Sequence, residues 1–168
     1  MPSTARVTPD GLLRFQGQVF RCALGKGGIR PADQKQEGDG ATPAALMPLR
    51  RVLFRADRLA TSPTCAVPRE PLAPEDGWCD DPTHRDYNRA IRLPHTARHE
   101  ELWRADPLYD VIGVLGWNDA PVARNRGSAI FLHVAKPDLA PTEGCVALPL
   151  KEVLALLAAG LTAIQVTG

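Results

Sequence analysis

Proline is the residue type that most constrains how this chain can fold. Sixteen of its 168 residues are proline, about twice the usual share of roughly 5%. A proline ends or kinks a helix and removes a hydrogen-bond donor from a sheet. Since the prolines are spread along the chain, they predict long, stiff connections rather than a disordered proline-rich tail.

Apolar runs between these connections predict mostly strands. Residues 11–24 indicate a hairpin that turns near Gly17, and residues 109–116, 127–135 and 161–168 indicate further strands. A helix is predicted after Pro149, with an apolar stripe that ends near Gly160, and a short helix at 100–103. Strands do not alternate regularly with helices, so the fold class is α+β and β-rich, with long loops.

The length suits one domain, residues 1–168. Within it, residues 61–98 hold six prolines and little periodicity, which predicts an irregular insertion. Long irregular segments in compact domains are commonly functional. A disordered linker is the alternative, although Trp78, Tyr87 and the apolar residues near Ile91 argue against it.

The charges of this chain disfavour nucleic acid as a partner. The formal net charge is +1, and arginines are interleaved with acidic residues, whereas a nucleic-acid footprint needs an uncompensated basic face. Residues 1–15 lack the apolar run of a secretory signal. No stretch reaches the roughly 18 apolar residues of a membrane span.

The four cysteines (Cys22, Cys65, Cys79 and Cys145) include no pair spaced as CxxC. An even number permits two disulfides, but a domain of this length does not require them. His95 and His99 are four apart, as zinc ligands on one helix would be, but Thr96 occupies the position of the catalytic glutamate of metalloproteases. No metal site is predicted.

His133 ends a predicted strand, and Cys145 follows it twelve positions later. A thiol needs a base or a positive field to become a nucleophile. The loop between them could bring Cys145 back beside the strand that carries His133, which would then act as the base. A helix beginning about four residues after Cys145 could supply the field. Gly144 permits a tight turn whose amides could bind an oxyanion. A structural histidine and a packing cysteine remain the alternatives.

Residues 127–149 resemble the active-site segment of the L,D-transpeptidase (YkuD-type) family. In that family a strand-end histidine is followed by Ser/Thr-x-Gly-Cys, matched here by His133 and Thr142–Cys145. Thr42 and Pro43 resemble an upstream family stretch. The segments GGIR, GWCDDP and YNR look like those of a compact bacterial subgroup.

This resemblance implies a YkuD-like mixed β-sandwich or barrel and a cysteine acyl-enzyme mechanism on peptidoglycan stem peptides. Cys145 would be the nucleophile and His133 the general base, with its imidazole oriented by the Val134 carbonyl. The amides of Gly144 and Cys145 would form the oxyanion hole. The partners would be a donor and an acceptor stem, and no cofactor or metal is implied.

Three residues depart from the family pattern. Glu143 replaces a histidine, Ala147 replaces an arginine or asparagine that helps bind substrate, and Ala45 replaces a glycine. The cross-link could therefore be the usual 3–3 type or an atypical 1–3 type. An L,D-carboxypeptidase or amidase that hydrolyses stems, and a silent peptidoglycan-binding module, are the other functions considered.

Other side chains are expected to replace the lost substrate contacts. Trp78 would stack on a sugar or stem, Asp81 or its neighbour Asp80 would meet an amine, and Arg30 would hold a carboxylate. Tyr87, Asn88 and Thr142 complete the predicted substrate-binding set. The resemblance implies a periplasmic or cell-wall location, and the lack of a visible signal peptide leaves the cytoplasm open.

Overall fold

The computed structural model describes residues 2–168. Within that range the chain forms fourteen strands and one α-helix. The elements are β1 Thr4–Thr8, β2 Leu12–Phe15, β3 Gln18–Arg21, β4 Ile29–Pro31, β5 Thr42–Ala44, β6 Leu46–Phe54, β7 Arg69–Pro71, β8 Asp76–Cys79, β9 Ala90–Arg92, β10 His99–Glu101, β11 Val111–Leu115, β12 Phe131–Val134, β13 Val146–Leu148, α1 Leu150–Ala158 and β14 Ala163–Val166.

Nine strands form one large sheet that nearly closes into a barrel. Its order is β13-β12-β11-β6-β14-β1-β2-β3, and β7 pairs with β6. Ala23, just after β3, exchanges two backbone hydrogen bonds with Ala147 of β13, at 2.8 and 3.0 Å. This bridge joins the two ends of the sheet. The expected β-rich α+β fold is confirmed.

The local patterns that predicted strands correspond to real elements. The hairpin of β2 and β3 pairs Phe15 with Gln18 and turns through Gln16 and Gly17, which both have positive φ. All five residues of β11 and all four of β12 are buried. A strand covered on both faces reads as a continuous apolar run, which is the pattern seen in the sequence.

The predicted helix is α1, and its buried residues are Val153, Leu156 and Leu157. They join a core cluster that includes Val146 and Leu148 of β13. Pro149 is the N-cap residue, as its position in the sequence suggested. The helix thus covers the sheet directly behind the strand that follows Cys145.

The segment 61–98 is more regular than predicted. It contains β7, β8 and β9, and β8 lies between β9 and β10 in a separate three-stranded sheet. The predicted helix at 100–103 is wrong, since Glu100 and Glu101 belong to β10 and pair with Trp78 and Gly77 of β8. Tertiary pairing here overrides a local helical preference.

The connection from residue 25 to 43 contains the short parallel pair β4 and β5. A buried ion pair between Lys35 and Asp39, 2.6 Å apart, fixes the loop between these two strands. All four cysteines are free thiols. In residues 2–168 no helix has the length and apolar character needed to cross a membrane.

Candidate active site

A cavity of about 570 Å³ opens between the large sheet and the three-stranded sheet of β8, β9 and β10, called the small sheet below. Both His133 and Cys145 line it. Its wall also includes Lys35 and Glu37 from the 25–43 connection, Glu100 from β10, and Tyr109 just before β11. Sites of this kind are concave and carry a few convergent polar groups. The two residues singled out by sequence therefore share one cavity.

Backbone pairing holds the turn before Cys145. The amide of Thr142 donates to the Leu24 carbonyl at 2.9 Å, and the amide of Lys26 donates to the Thr142 carbonyl at 2.8 Å. The Thr142 hydroxyl donates to the Cys145 carbonyl at 2.8 Å and accepts from the Gly144 amide at 3.1 Å. Thr142 lines the cavity, but its hydroxyl is occupied in stabilising this turn.

Gly144 has a φ of +137°, a conformation that L side chains rarely adopt. A Cβ atom at this position would lie 2.8 Å from the carbonyl oxygen of Ala41. The turn before Cys145 therefore packs directly against the backbone just before β5. Both the conformation and the close approach require glycine.

The Cys145 thiol is buried beside the first residue of β12. Its Sγ accepts a hydrogen bond from the Phe131 amide and donates to the Ala129 carbonyl, both at 3.3 Å. Burial, together with the charge of the Glu100 carboxylate, raises the pKa of Cys145 to about 12, while the Phe131 amide opposes the shift. The resting thiol is protonated at neutral pH.

The spacing along the chain argues against help from the helix N-terminus. The three residues of β13 and the N-cap Pro149 separate Cys145 from α1, which corresponds to roughly 13 Å of extended chain. A helix dipole acts mainly within its first turn. The separation from α1 weakens the field of the helix at the Cys145 Sγ. Burial therefore determines the direction in which the pKa of Cys145 shifts.

The imidazole of His133 is held by a backbone carbonyl, as predicted. Its Nδ1 lies 2.9 Å from the Val134 carbonyl oxygen. Because a carbonyl can only accept, Nδ1 carries the proton in the neutral ring and Nε2 keeps its lone pair. Burial lowers the pKa of His133, although the Val134 carbonyl favours the charged form. His133 is therefore a neutral base.

Tyr109 connects His133 to a carboxylate on the small sheet. Its ring lies edge-on to the imidazole, with centroids 5.3 Å apart, and its hydroxyl donates to Glu100 at 2.7 Å. The guanidinium of Arg104 lies 5.3 Å from the Tyr109 ring centroid and pairs with Asp106 at 2.6 Å. Sequence reasoning missed Glu100 and Tyr109, because they come together only through the pairing of β10 with β8.

Three predicted substrate contacts are instead buried supports of the site. The Trp78 indole donates to the Asn88 side-chain oxygen at 3.0 Å and packs edge-on against Phe131. The Asn88 oxygen also accepts from the Ala129 amide at 3.1 Å. The Tyr87 hydroxyl donates to Glu37 at 2.7 Å and accepts from the Gly127 amide. None of these three residues lines the cavity. The structure thus places Trp78, Tyr87 and Asn88 behind the cavity wall, and not where direct contacts with substrate were expected.

Two further predicted contacts, Arg30 and Asp81, also lie off the cavity wall. Arg30 pairs with Asp39 at 3.3 Å and lies off the cavity wall. Asp81 accepts hydrogen bonds from the amide and hydroxyl of Thr83, which lower its pKa. Its neighbour Asp80 does line the cavity and pairs with Arg98 at 3.1 Å.

The histidines 95 and 99 do not share a helix face, because His99 begins β10. His95 instead groups with His84 and Asp86, whose side-chain ligand atoms lie within 4.8 Å of one another. Both Nδ1 atoms accept backbone amide hydrogens, from Asp86 and Ala97. A metal-bound histidine normally donates a hydrogen bond from its other nitrogen, so this arrangement suits loop bracing rather than metal binding.

The comparison with known families agrees with this geometry. The family model of the L,D-transpeptidase catalytic domain, YkuD, matches residues 5–166. Since the match covers nearly the whole chain, the protein belongs to the YkuD family. The family consists of cysteine-dependent L,D-transpeptidases that act on peptidoglycan stem peptides and are typically associated with the cell wall. No curated protein and no solved structure matches the chain.

Proposed function

We propose that this protein is a peptidoglycan L,D-transpeptidase in which Cys145 is the nucleophile and His133 the general base. One observation carries the proposal. The Val134 carbonyl fixes the proton of His133 on Nδ1, so that Nε2 can accept a proton in the cavity that Cys145 also lines. We propose that the protein acts at the cell wall, where the family's substrate lies.

In the proposed acylation, Sγ turns from the Ala129 carbonyl toward the imidazole. No hydrogen bond joins Sγ to the ring at rest, and catalytic hydrogen bonds in free enzymes often tighten only with substrate. His133 takes the thiol proton as sulfur attacks the carbonyl carbon at an L-configured centre of the donor stem. The proton then passes to the leaving amine, and a thioester remains on Cys145.

The oxyanion of this step needs a backbone donor beside Cys145. The Gly144 amide, one of the two predicted donors, already donates to the Thr142 hydroxyl. The Cys145 amide is therefore the proposed principal donor. Removal of a single oxyanion donor costs roughly 100- to 1000-fold in turnover, so the rigid turn built by Thr142 and Gly144 is essential to the proposal.

The thioester would then be attacked by an amine of a second stem, forming a 3–3 or an atypical 1–3 cross-link. Ala147 has no side-chain hydrogen-bonding group where the family has arginine or asparagine. It is also fully buried and bonded through its backbone to Ala23. We propose that donor recognition falls instead to charged residues of the cavity wall, above all Arg104.

Product analysis tests the proposal. Purified protein would be incubated with muropeptides that carry tri-, tetra- and pentapeptide stems, and the products identified by mass spectrometry. Cross-linked dimers and an acyl-enzyme, both absent from Cys145→Ala, are expected, and fragmentation of the dimers gives the linkage. Shortened monomers without dimers would replace the proposal with an L,D-carboxypeptidase. No acyl-enzyme with any stem would favour a peptidoglycan-binding module.

A further inference from the structure

Five acidic residues line the cavity, and three of them form ion pairs. Asp80 pairs with Arg98, Asp106 with Arg104, and Glu143 with Lys26. Glu37 accepts hydrogen bonds from the hydroxyls of Tyr87 and Ser128, at 2.7 and 2.6 Å. Glu100, like Glu37, forms no ion pair within residues 2–168, but it accepts a hydrogen bond from only one hydroxyl, that of Tyr109.

Glu100 is held firmly although it lacks a cation. Its backbone is in β10, opposite Trp78 of β8, and one carboxylate oxygen accepts the Tyr109 hydroxyl at 2.7 Å. The second oxygen receives no hydrogen bond from the described side chains. Because burial raises the pKa of Glu100, this carboxylate holds a proton more readily than an exposed one does.

The position of Glu100 relates it to the nucleophile and to the base. Tyr109 contacts Glu100 through its hydroxyl and His133 through the edge of its ring. The charge of Glu100 also acts on the Cys145 thiol. A carboxylate without an ion-pair partner thus lines the cavity that would hold an acyl group on Cys145.

The amine that accepts the acyl group must first lose a proton to a nearby base. Stem amines are ammonium ions at neutral pH, and an ammonium has no lone pair with which to attack. The nitrogen must lose one proton before attack and a second when the amide forms. His133 Nε2 can take only one proton at a time, so a second acceptor is required.

We propose that Glu100 binds the ammonium of the acyl acceptor and takes its first proton. This inference rests on the proposed transpeptidase function. The ammonium transfers a proton to the Glu100 carboxylate, and the free amine attacks the thioester carbonyl carbon. His133 takes the second proton from nitrogen and returns it to Sγ as the C–S bond breaks. The products are the amide, the Cys145 thiol and a protonated Glu100, which releases its proton to water.

The test compares Glu100→Gln with Glu101→Gln. Glutamine keeps an oxygen for the Tyr109 hydroxyl but carries no charge and takes no proton. Glu101 is the adjacent residue of β10, exposed and off the cavity wall. Acyl-enzyme formation from a tetrapeptide muropeptide would be followed by intact-protein mass spectrometry. Its decay would then be measured with excess tetrapeptide muropeptide and, separately, with hydroxylamine, which is uncharged at pH 7.

We expect all three proteins to acylate, with Glu101→Gln at the wild-type rate and Glu100→Gln at least as fast, because the charge that raises the pKa of Cys145 is then absent. Glu100→Gln should transfer the acyl group to the muropeptide amine at least about 100-fold more slowly, with hydroxylamine transfer unchanged and Glu101→Gln like wild type. Unchanged transfer to the muropeptide amine, or an equal loss with hydroxylamine, would overturn the role of Glu100. Failure of the wild-type protein to form an acyl-enzyme would instead overturn the proposed function.

Discussion

The Nδ1 atom of His133 lies 2.9 Å from the carbonyl oxygen of Val134, the next residue of the same strand. This contact assigns the tautomer without an acidic third partner. The carbonyl dipole orients the ring but adds no full negative charge, so burial still lowers the pKa of His133. A neutral imidazole beside a protonated thiol is the resting state that these contacts favour.

The buried histidine should make stability depend on pH. A neutral His133 in the folded state and an ordinary pKa of about 6.5 in the unfolded state mean that unfolding takes up a proton in acid. The free energy of unfolding should therefore fall as the pH drops below about 6.5. Urea unfolding between pH 5 and 8 should show a shallower fall for His133→Gln than for the wild-type protein. Parallel curves for the two proteins would contradict a lowered pKa.

The thiol should be unreactive at neutral pH. Because the pKa of Cys145 is raised to about 12, the thiolate fraction is small and should grow about tenfold per pH unit below that value. Iodoacetamide labelling, with the labelled peptide identified by mass spectrometry, should find half-buried Cys65 modified before Cys145 at pH 7. Rapid Cys145 labelling at pH 6, absent in His133→Ala, would instead indicate a thiolate–imidazolium pair.

The turn before the nucleophile should not tolerate a side chain. Gly144→Ala must hold a Cβ at positive φ and within 2.8 Å of the Ala41 carbonyl, so we expect a loss of about 1–3 kcal/mol in the free energy of unfolding together with lost activity. Gly17→Ala is the matched control, because Gly17 also has positive φ but nothing lies within 4 Å of its Cβ position. Denaturant unfolding gives the loss of unfolding free energy for each variant. Equal losses would show that the close approach to the Ala41 carbonyl is not the cause.

The indole of Trp78 should matter for stability rather than for direct contact with substrate. Trp78 is only 6% exposed, so Trp78→Ala should lower the free energy of unfolding by about 3–5 kcal/mol. Trp78→Phe keeps part of the packing against Phe131 and should cost less, although it leaves the Asn88 oxygen without its indole donor. Denaturant unfolding of both variants gives the comparison. Wild-type stability in Trp78→Ala, with reduced turnover, would restore its role as a substrate platform.

Local sequence patterns predicted much of the large sheet. The hairpin at Gly17, the buried strands β11 and β12 and the helix after Pro149 are fixed by alternation, apolar runs and turn residues, which act within a few positions. The missed strand β1 pairs in parallel with β14, residue for residue from Thr4 and Ala163. No local pattern records that the two ends of a chain lie side by side.

The candidate site divides in the same way. The sequence by itself placed a histidine at a strand end and a cysteine after a glycine turn, and the resemblance to the YkuD family implied the Val134 carbonyl as the partner of His133. Only the tertiary structure brought Glu100 and Tyr109 to the cavity, buried Trp78 and Asn88 behind it, and separated Cys145 from the helix N-terminus. The reason is physical. Turn and strand preferences are local, whereas burial, and with it the pKa values of the thiol and the imidazole, depends on residues that are distant in the chain.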